Sequence, residues 1–309
     1  MPGWHGTHAI IWRVRQALAR PRWALARIAV DLRSPFVWSW RYRSLREPKR
    51  AGAYPHDRAE QVLVRRQLVE AGFDIRSMRI DLEDYRRFLE RATYEQYPLY
   101  YGGGQARGFP QKALEHYLAL KLLRPGAADV CIDVASQKSP APQIYARLSG
   151  AHVFSQDLAY PGGLSGDRIG GDASRMPVAD GFASAIALHN AFEHFEGDAD
   201  ARFIREAGRV LRPGGRLCIA PLFLASRYVI QTDPAVWPAG GMAFEPEAEV
   251  ACVRGWRDRH GRFYDVPRLR SRVRDNLDGL RLTIFDVENA ADVHADVYLR
   301  FVALIEKPE

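Results

Sequence analysis

The sequence predicts an α/β protein: an open, doubly wound sheet of mostly parallel strands within residues 126–309, preceded by an N-terminal helical extension. Three observations lead there. From Ala127 onward, short apolar runs alternate with helical stretches, the rhythm of a parallel sheet with helices on both faces. Two final strand-like runs, Leu282–Val287 and Val297–Ile305, are joined by only a short link, so one of them must run antiparallel. Upstream, residues 56–125 read as mostly helical.

The elements follow in order. Helical patterns cover Asp57–Ala71, stopped by Gly72, then Leu82–Ala92 and Gln111–Leu123, stopped by Pro125-Gly126. A first strand, Val130–Val134, ends in Asp133-Val134 and is followed by a helix over Pro140–Leu148, stopped by Gly150. The strand Ala151–Ser155, a strand around Ala185–Leu188 and the helix Ala199–Leu211 come next. Pro213-Gly214-Gly215 turns the chain into the strand Arg216–Leu222, and a helix near Val266–Leu277 precedes the last two strands. The organisation is therefore a segment over residues 1–55, a helical cap or lid region over 56–125, and the sheet domain over 126–309.

Composition sets limits. The chain has 309 residues, 47% hydrophobic and 26% charged, an ordinary globular balance. No stretch approaches the roughly 18 apolar residues that span a bilayer. Arg13 and Arg15 interrupt Ala9–Leu18, which excludes a signal-peptide core. Cys131, Cys218 and Cys252 are widely spaced and read as buried reduced thiols, so the expected location is the cytoplasm. No ligand spacing for a structural metal is present.

Charge is uneven. Residues 1–50 hold eleven Arg and Lys against two Asp and Glu, a net of +9, and five of the seven tryptophans. Ile11, Val14 and Leu18 recur at helical spacing before Pro21, a weaker pattern runs through Leu25, Ile28 and Leu32, and Glu47–Pro55 reads as a linker. Two readings stand. Either this segment attaches the protein to an anionic membrane surface or a partner, making it peripherally membrane-associated, or its tryptophans pack on the sheet domain and leave the arginines solvated.

In an open α/β sheet, ligands bind outside the carboxyl ends of the strands. The residues to inspect are thus Asp133 to Ser139, Asp157-Leu158, Gly171 to Pro177, His189-Asn190 and Glu193-His194. A carboxylate ending the second strand suits a ribose diol, because it accepts two O–H hydrogen bonds. A second carboxylate in a loop suits an exocyclic amine such as that of adenine.

The order Gly171-Asp172-Ala173, Met176-Pro177-Val178, Asp180, Phe182, Asn190, Glu193-His194, Glu206 and Arg209 to Gly215 resembles the class I S-adenosylmethionine-dependent methyltransferases, closest to the group acting on small molecules. The resemblance covers about 180 residues, and Val210 to Gly215 leading into an apolar strand is its most specific piece. It implies a Rossmann-like, seven-stranded sheet with an antiparallel last strand and S-adenosylmethionine as cofactor. By resemblance, Asp133, Ala135, Ser136 and Gln137 form the cofactor loop. Asp157 with Leu158 holds the ribose, Asp172 with Ala173 meets the adenine amine, and Met176 packs near the adenine. His189-Asn190 then lies beside the methionine moiety.

One departure stands out. The family's first loop carries three glycines, and here those positions hold Ala135, Gln137 and Ser139. Glycine allows positive φ and close approach of backbone to ligand, so the loop is narrower than in the family. Ser139 still suits a helix cap and Pro140 a first helical position. This motivates an alternative function, a binding protein that kept the fold and lost methyl transfer. A nucleic-acid methyltransferase is the other alternative, motivated by the Arg-rich N-terminus.

His194 and His189 are the candidate catalytic residues. A hydroxyl acceptor needs a base, and histidine suits that near neutral pH, although lining the pocket is the favoured role for both. Tyr94, Tyr97, Tyr100 and Tyr101 precede the triple glycine Gly102-Gly103-Gly104 and read either as core packing or as a lid. The link from Ser226 to Tyr264 is where the family builds its acceptor pocket, with Trp237, Phe244, Arg254, Trp256 and Arg257 as lining candidates. A small molecule, glycan or lipid-linked group is the expected acceptor.

Overall fold

A computed structural model describes residues 36–45, 49–55 and 57–309. The helical patterns through Ile11–Leu18 and Leu25–Leu32 lie outside the described residues. The chain clusters into two units, one of residues 55–228 with 262–309 and a smaller one of residues up to 54 with 229–261.

The larger unit holds β1 (Ile75–Met78), β2 (Val130–Val134), β3 (His152–Asp157), β4 (Gly163–Ser165), β5 (Arg168–Gly170), β6 (Ala183–His189), β7 (Leu211–Ala220), β8 (Arg281–Val287) and β9 (Phe301–Glu306). They form one sheet in the order β1-β8-β9-β7-β6-β2-β3-β5-β4. β9 runs antiparallel to both neighbours, which is the expected antiparallel last strand, starting four residues later than the sequence suggests. The neighbouring pairs from β7 through β5 are parallel. The sheet has nine strands where seven were expected. β1, four residues long within the helical region, adds in parallel to the edge of β8, and β4 makes a short antiparallel hairpin with β5. Both cover edges that would otherwise present unpaired backbone groups.

Among the described residues of this unit, six helices of seven residues or more flank the sheet: α1 (Arg58–Glu70), α2 (Leu82–Ala92), α3 (Phe109–Leu123), α4 (Ala141–Ser149), α5 (Ala199–Val210) and α6 (Val266–Arg272). Asp57 and Asp81 cap α1 and α2 with their carboxylates, accepting from Glu60 and from Glu83 and Asp84. Strand alternation divides the core. Ile132, Val134, Ile186 and Leu188 face one way, against Phe203, Ile204, Val64 and Leu68. Cys131, Ala185, Ala187 and Cys218 face the other, against Leu114, Leu118, Ile144 and Tyr145. These small strand residues let α3 lie close to the sheet, and α3 buries nine of its fifteen residues. The same period of two puts Asp133 and His189 on the α3 side. All three cysteines are buried and unbridged.

In the smaller unit, Lys49–Ala51, Glu249–Cys252 and Val229–Thr232 pair in parallel. The Asp233 carboxylate accepts from the amides of Ala235, Gly255 and Arg257 and fixes the turn that follows. Trp237 donates to Thr232 Oγ1 at 2.6 Å and packs on Phe244. No helix among the described residues is long and apolar enough to cross a membrane.

Candidate functional site

The strand order reverses between β2 and β6, which run side by side in parallel. Their carboxyl ends bring together Asp133, His189 and Asn190. Asp133 is 1% exposed, and neither carboxylate oxygen has a hydrogen-bond partner among the described residues. Its nearest basic group is His189 Nε2, at 3.4 Å. Burial holds the Asp133 carboxyl well above the usual carboxylate range.

His189 belongs to a polar cluster on the α3 side. The Tyr145 hydroxyl donates to the carbonyl of His116 at 2.9 Å and lies 3.0 Å from His189 Nε2. With its only proton used, Tyr145 accepts from His189, which sets the Nε2–H tautomer and leaves Nδ1 as an acceptor. That Nδ1 is buried and without a partner among the described residues. Burial, reinforced by the Lys112 charge, lowers the His189 pKa to about 3. A group that holds its proton so weakly at neutral pH is a poor general base, so its position fits lining and hydrogen bonding. His116 Nδ1 meets the Tyr94 hydroxyl at 2.7 Å, and its Nε2 lies 3.3 Å from Tyr100 Oη and 3.5 Å from Ser139 Oγ. Tyr94 is buried in the core, and Tyr100 stacks on His116.

The loop after β2 takes its turn without glycine. Ala135 has φ 57, the left-handed conformation for which the family uses glycine, at a strain of about 1–2 kcal/mol. Ser139 Oγ accepts from Ala141 N–H, but the N-cap is Pro140, which has no side-chain cap bond, so both residues stand one position earlier than the sequence suggests. Ser136 is buried, while Gln137 and Lys138 are exposed.

Asp157 ends β3. One carboxylate oxygen accepts from Gln137 N–H at 3.1 Å and the other from Ala159 N–H at 2.8 Å, so backbone amides fix its direction. Leu158 beside it is 76% exposed. The Asp172 loop is bound to this one: Gln156 donates to the Gly171 carbonyl, and Gly171 N–H to the Asp157 carbonyl. A Cβ at Gly170 would sit 1.8 Å from the Pro161 carbonyl oxygen, so only glycine lets the two loops approach. Asp172 is exposed and accepts from Ser174 N–H at 2.8 Å. Ala173 and Met176 are buried in the core, which leaves Leu158 as the exposed apolar side chain here.

The motif residues farther along clamp this loop. Glu206 accepts from Met176 N–H at 2.6 Å. Arg209 donates to the carbonyls of Met176 and Val178 and pairs with Asp180 and Glu206. Glu193 and His194 follow β6, with His194 Nε2 3.5 Å from Glu193 Oε1 and its side chain 31% exposed. Their loop is held by Arg262, which donates to the carbonyls of Phe195 and Gly197 and to Asp200. Asn190 has φ 47, and its Oδ1 accepts from the Tyr298 hydroxyl at 2.9 Å. Tyr298 also lines a cavity with Asp57, Gln61, Val64, Phe223 and Arg300.

Sequence reasoning missed His116, Tyr145, Tyr298 and the Arg262–Asp200 pair. His116 and Tyr145 sit inside helices, where nothing in their spacing marks them.

Buried acceptors without donors at a strand switch point invite a ligand, since leaving them unpaired costs about 1–3 kcal/mol each. The sheet order, the antiparallel β9 and the carboxylates after β2 and β3 match the arrangement expected from the resemblance to class I S-adenosylmethionine-dependent methyltransferases. The family model for a methyltransferase domain matches residues 132–219. Among curated relatives, the demethylmenaquinone methyltransferase of Mycolicibacterium vanbaalenii is 29% identical over 158 residues, 40% of this chain and 66% of that protein. The protein of the same name from Mycobacterium marinum is 29% identical over 154 residues, 44% of this chain and 64% of its own. The match thus spans just under two thirds of these relatives. A solved structure of Burkholderia thailandensis 1,6-didemethyltoxoflavin-N1-methyltransferase is similar at 12% identity and TM-score 0.43, over 76% of this chain and 94% of that one.

Proposed function

We propose that the protein is an S-adenosylmethionine-dependent methyltransferase acting on a small-molecule acceptor, with a glycan or lipid-linked group as the finer expectation. The observation that carries this is the pair Asp133 and His189. Their buried, unpartnered oxygens and Nδ1 together offer three acceptors to an ammonium group, which has three donors. When bound, S-adenosylmethionine supplies an electrophilic methyl group on its sulfonium.

The chain's residues then divide the work of holding and orienting. Asp133 and His189 Nδ1 receive the methionine ammonium. Asp157, its direction fixed by two amides, accepts from the ribose hydroxyls. Asp172 accepts from the adenine amine, and Leu158 covers an adenine face, with Ala173 and Met176 supporting the loop from below. Ala135, Ser136 and Gln137 line the turn next to the methionine carboxylate. Asn190, its side chain held by Tyr298, stands at the carboxyl end of β6, where an acceptor would approach the methyl group. In-line transfer needs chiefly orientation of donor and acceptor. His194, partly exposed, is the candidate base for a hydroxyl acceptor.

Calorimetric titration with S-adenosylhomocysteine tests this reading. Wild type binds, and Asp157→Ala binds more weakly by about 1.5–3 kcal/mol, roughly tenfold or more. Equal affinities remove the ribose assignment. A wild-type protein that binds neither S-adenosylhomocysteine nor S-adenosylmethionine refutes the reading and favours a fold that has lost its cofactor, which the left-handed Ala135 motivates.

A further inference from the structure

Residues 36–44 form a helix in the smaller unit, and its sides differ. One side is anchored. Arg41 Nη1 donates to the carbonyls of Pro234 and Trp237, both at 2.9 Å. Trp38 and Tyr42 stack with ring centroids 4.9 Å apart. Lys49 Nζ donates to the carbonyls of Tyr42 and Leu45 at 2.7 and 2.9 Å, closing the last turn where a cation is favoured.

The other side is open. Phe36 is 81% exposed and Trp40 is 69% exposed. At i and i+4 they share one face, and exposed Arg43, seven residues after Phe36, continues it. The anchoring uses Arg41 and, from the following strand, Lys49, so neither Phe36 nor Trp40 is needed to seat the helix.

What suits this face is set by its chemistry. Residues 1–50 carry a net +9 and five of the seven tryptophans. Arg43 beside Phe36 and Trp40 on one helix face matches a water–lipid boundary, where arginine meets anionic headgroups and tryptophan and phenylalanine enter the layer beneath. We propose that this face docks on an anionic lipid surface, with Phe36 and Trp40 inserted and Arg43 at the headgroups.

The test uses the full chain and sedimentation with phosphatidylcholine vesicles, with and without phosphatidylglycerol. The protein sediments with the anionic vesicles only, and salt releases it. The double variant Phe36→Ser, Trp40→Ser partitions roughly tenfold less or weaker still, because two large apolar side chains no longer enter the lipid. Its melting temperature and its affinity for S-adenosylhomocysteine match wild type, which separates lost docking from lost folding. Failure of the full chain to sediment with anionic vesicles at low salt overturns the proposal. So does sedimentation that the double variant leaves unchanged. A variant that instead lowers the oligomeric mass without vesicles, or that loses binding to RNA while vesicles are ignored, assigns the face to a second copy or to nucleic acid and overturns the lipid surface as well.

Discussion

Arg262 and Asp200 form an ion pair at 2.7 Å with both side chains fully shielded from solvent. Tyr264 donates to the same Asp200 oxygen, and Arg272 pairs with the other at 2.9 Å. Arg262 spends its remaining donors on Tyr228 and on the carbonyls of Phe195 and Gly197, so the pair ties α5 to the loop after Glu193 and His194. Removing one partner of such a pair strands a buried charge and costs about 3–5 kcal/mol. Asp200→Ala is therefore expected to lower unfolding free energy by that amount in a urea titration. The double variant Asp200→Leu, Arg262→Met recovers part of it. A loss below about 1 kcal/mol, the scale of an exposed pair, would show that water reaches the site.

Arg209 and Glu206 act on the Asp172 loop from α5. Arg209→Ala removes the bonds to the carbonyls of Met176 and Val178. The loop is then free to move, and affinity for S-adenosylhomocysteine should drop about tenfold, a change of roughly 1.4 kcal/mol. Calorimetry reads this directly. An unchanged affinity would mean that Asp172 does not take part in binding.

Ala135 sits at φ 57. Ala135→Gly relieves about 1–2 kcal/mol of strain but gives back about 0.4–1 kcal/mol through a freer unfolded chain. A small net stabilisation is expected in thermal unfolding, whereas Ala135→Val, β-branched in the same conformation, destabilises. If the glycine variant melts clearly lower, the turn is not strained.

Two histidines fold neutral. Burial takes His189 down to about 3 and His116 well below its usual value. Below their ordinary value near 6.5, and down to about 3 for His189, the unfolded chain binds protons that the native state refuses. Stability from this source is complete above that ordinary value and falls as pH drops through the window. Asp133 and Glu115, raised by burial, act in the opposite sense, losing stability as pH rises above the ordinary carboxylate range. Denaturation at pH 7.5 and 5 should show lower stability at pH 5 if the histidines dominate. In the variant His116→Gln, His189→Gln the slope, more than the level, should flatten.

Much of this was legible in the sequence. The alternation of apolar runs and helical stretches marked β2, β3, β6 and β7, and the short link between the last two strands required the antiparallel β9. The spacing of Tyr85, Phe88 and Leu89 placed α2 to the residue. β1 was not legible because Ile75-Arg76-Ser77-Met78 has too few apolar residues to signal a strand, and it forms by completing the edge of β8. β4 escaped for the same reason.

The sequence by itself determined where the strands after Ala127 end, and so that Asp133 and Asp157 stand at the carboxyl edge of the sheet. Strand order follows from local pattern and handedness, and both are written along the chain. Only the tertiary structure decided how those residues are held. Tyr145 reaches His116 across 29 positions and His189 across 44, and Arg262 reaches Asp200 across 62. These contacts carry no periodicity. They exist because elements far apart in the chain pack side by side on the same face of the sheet and bring distant side chains within hydrogen-bonding distance, where burial fixes their tautomers and charges.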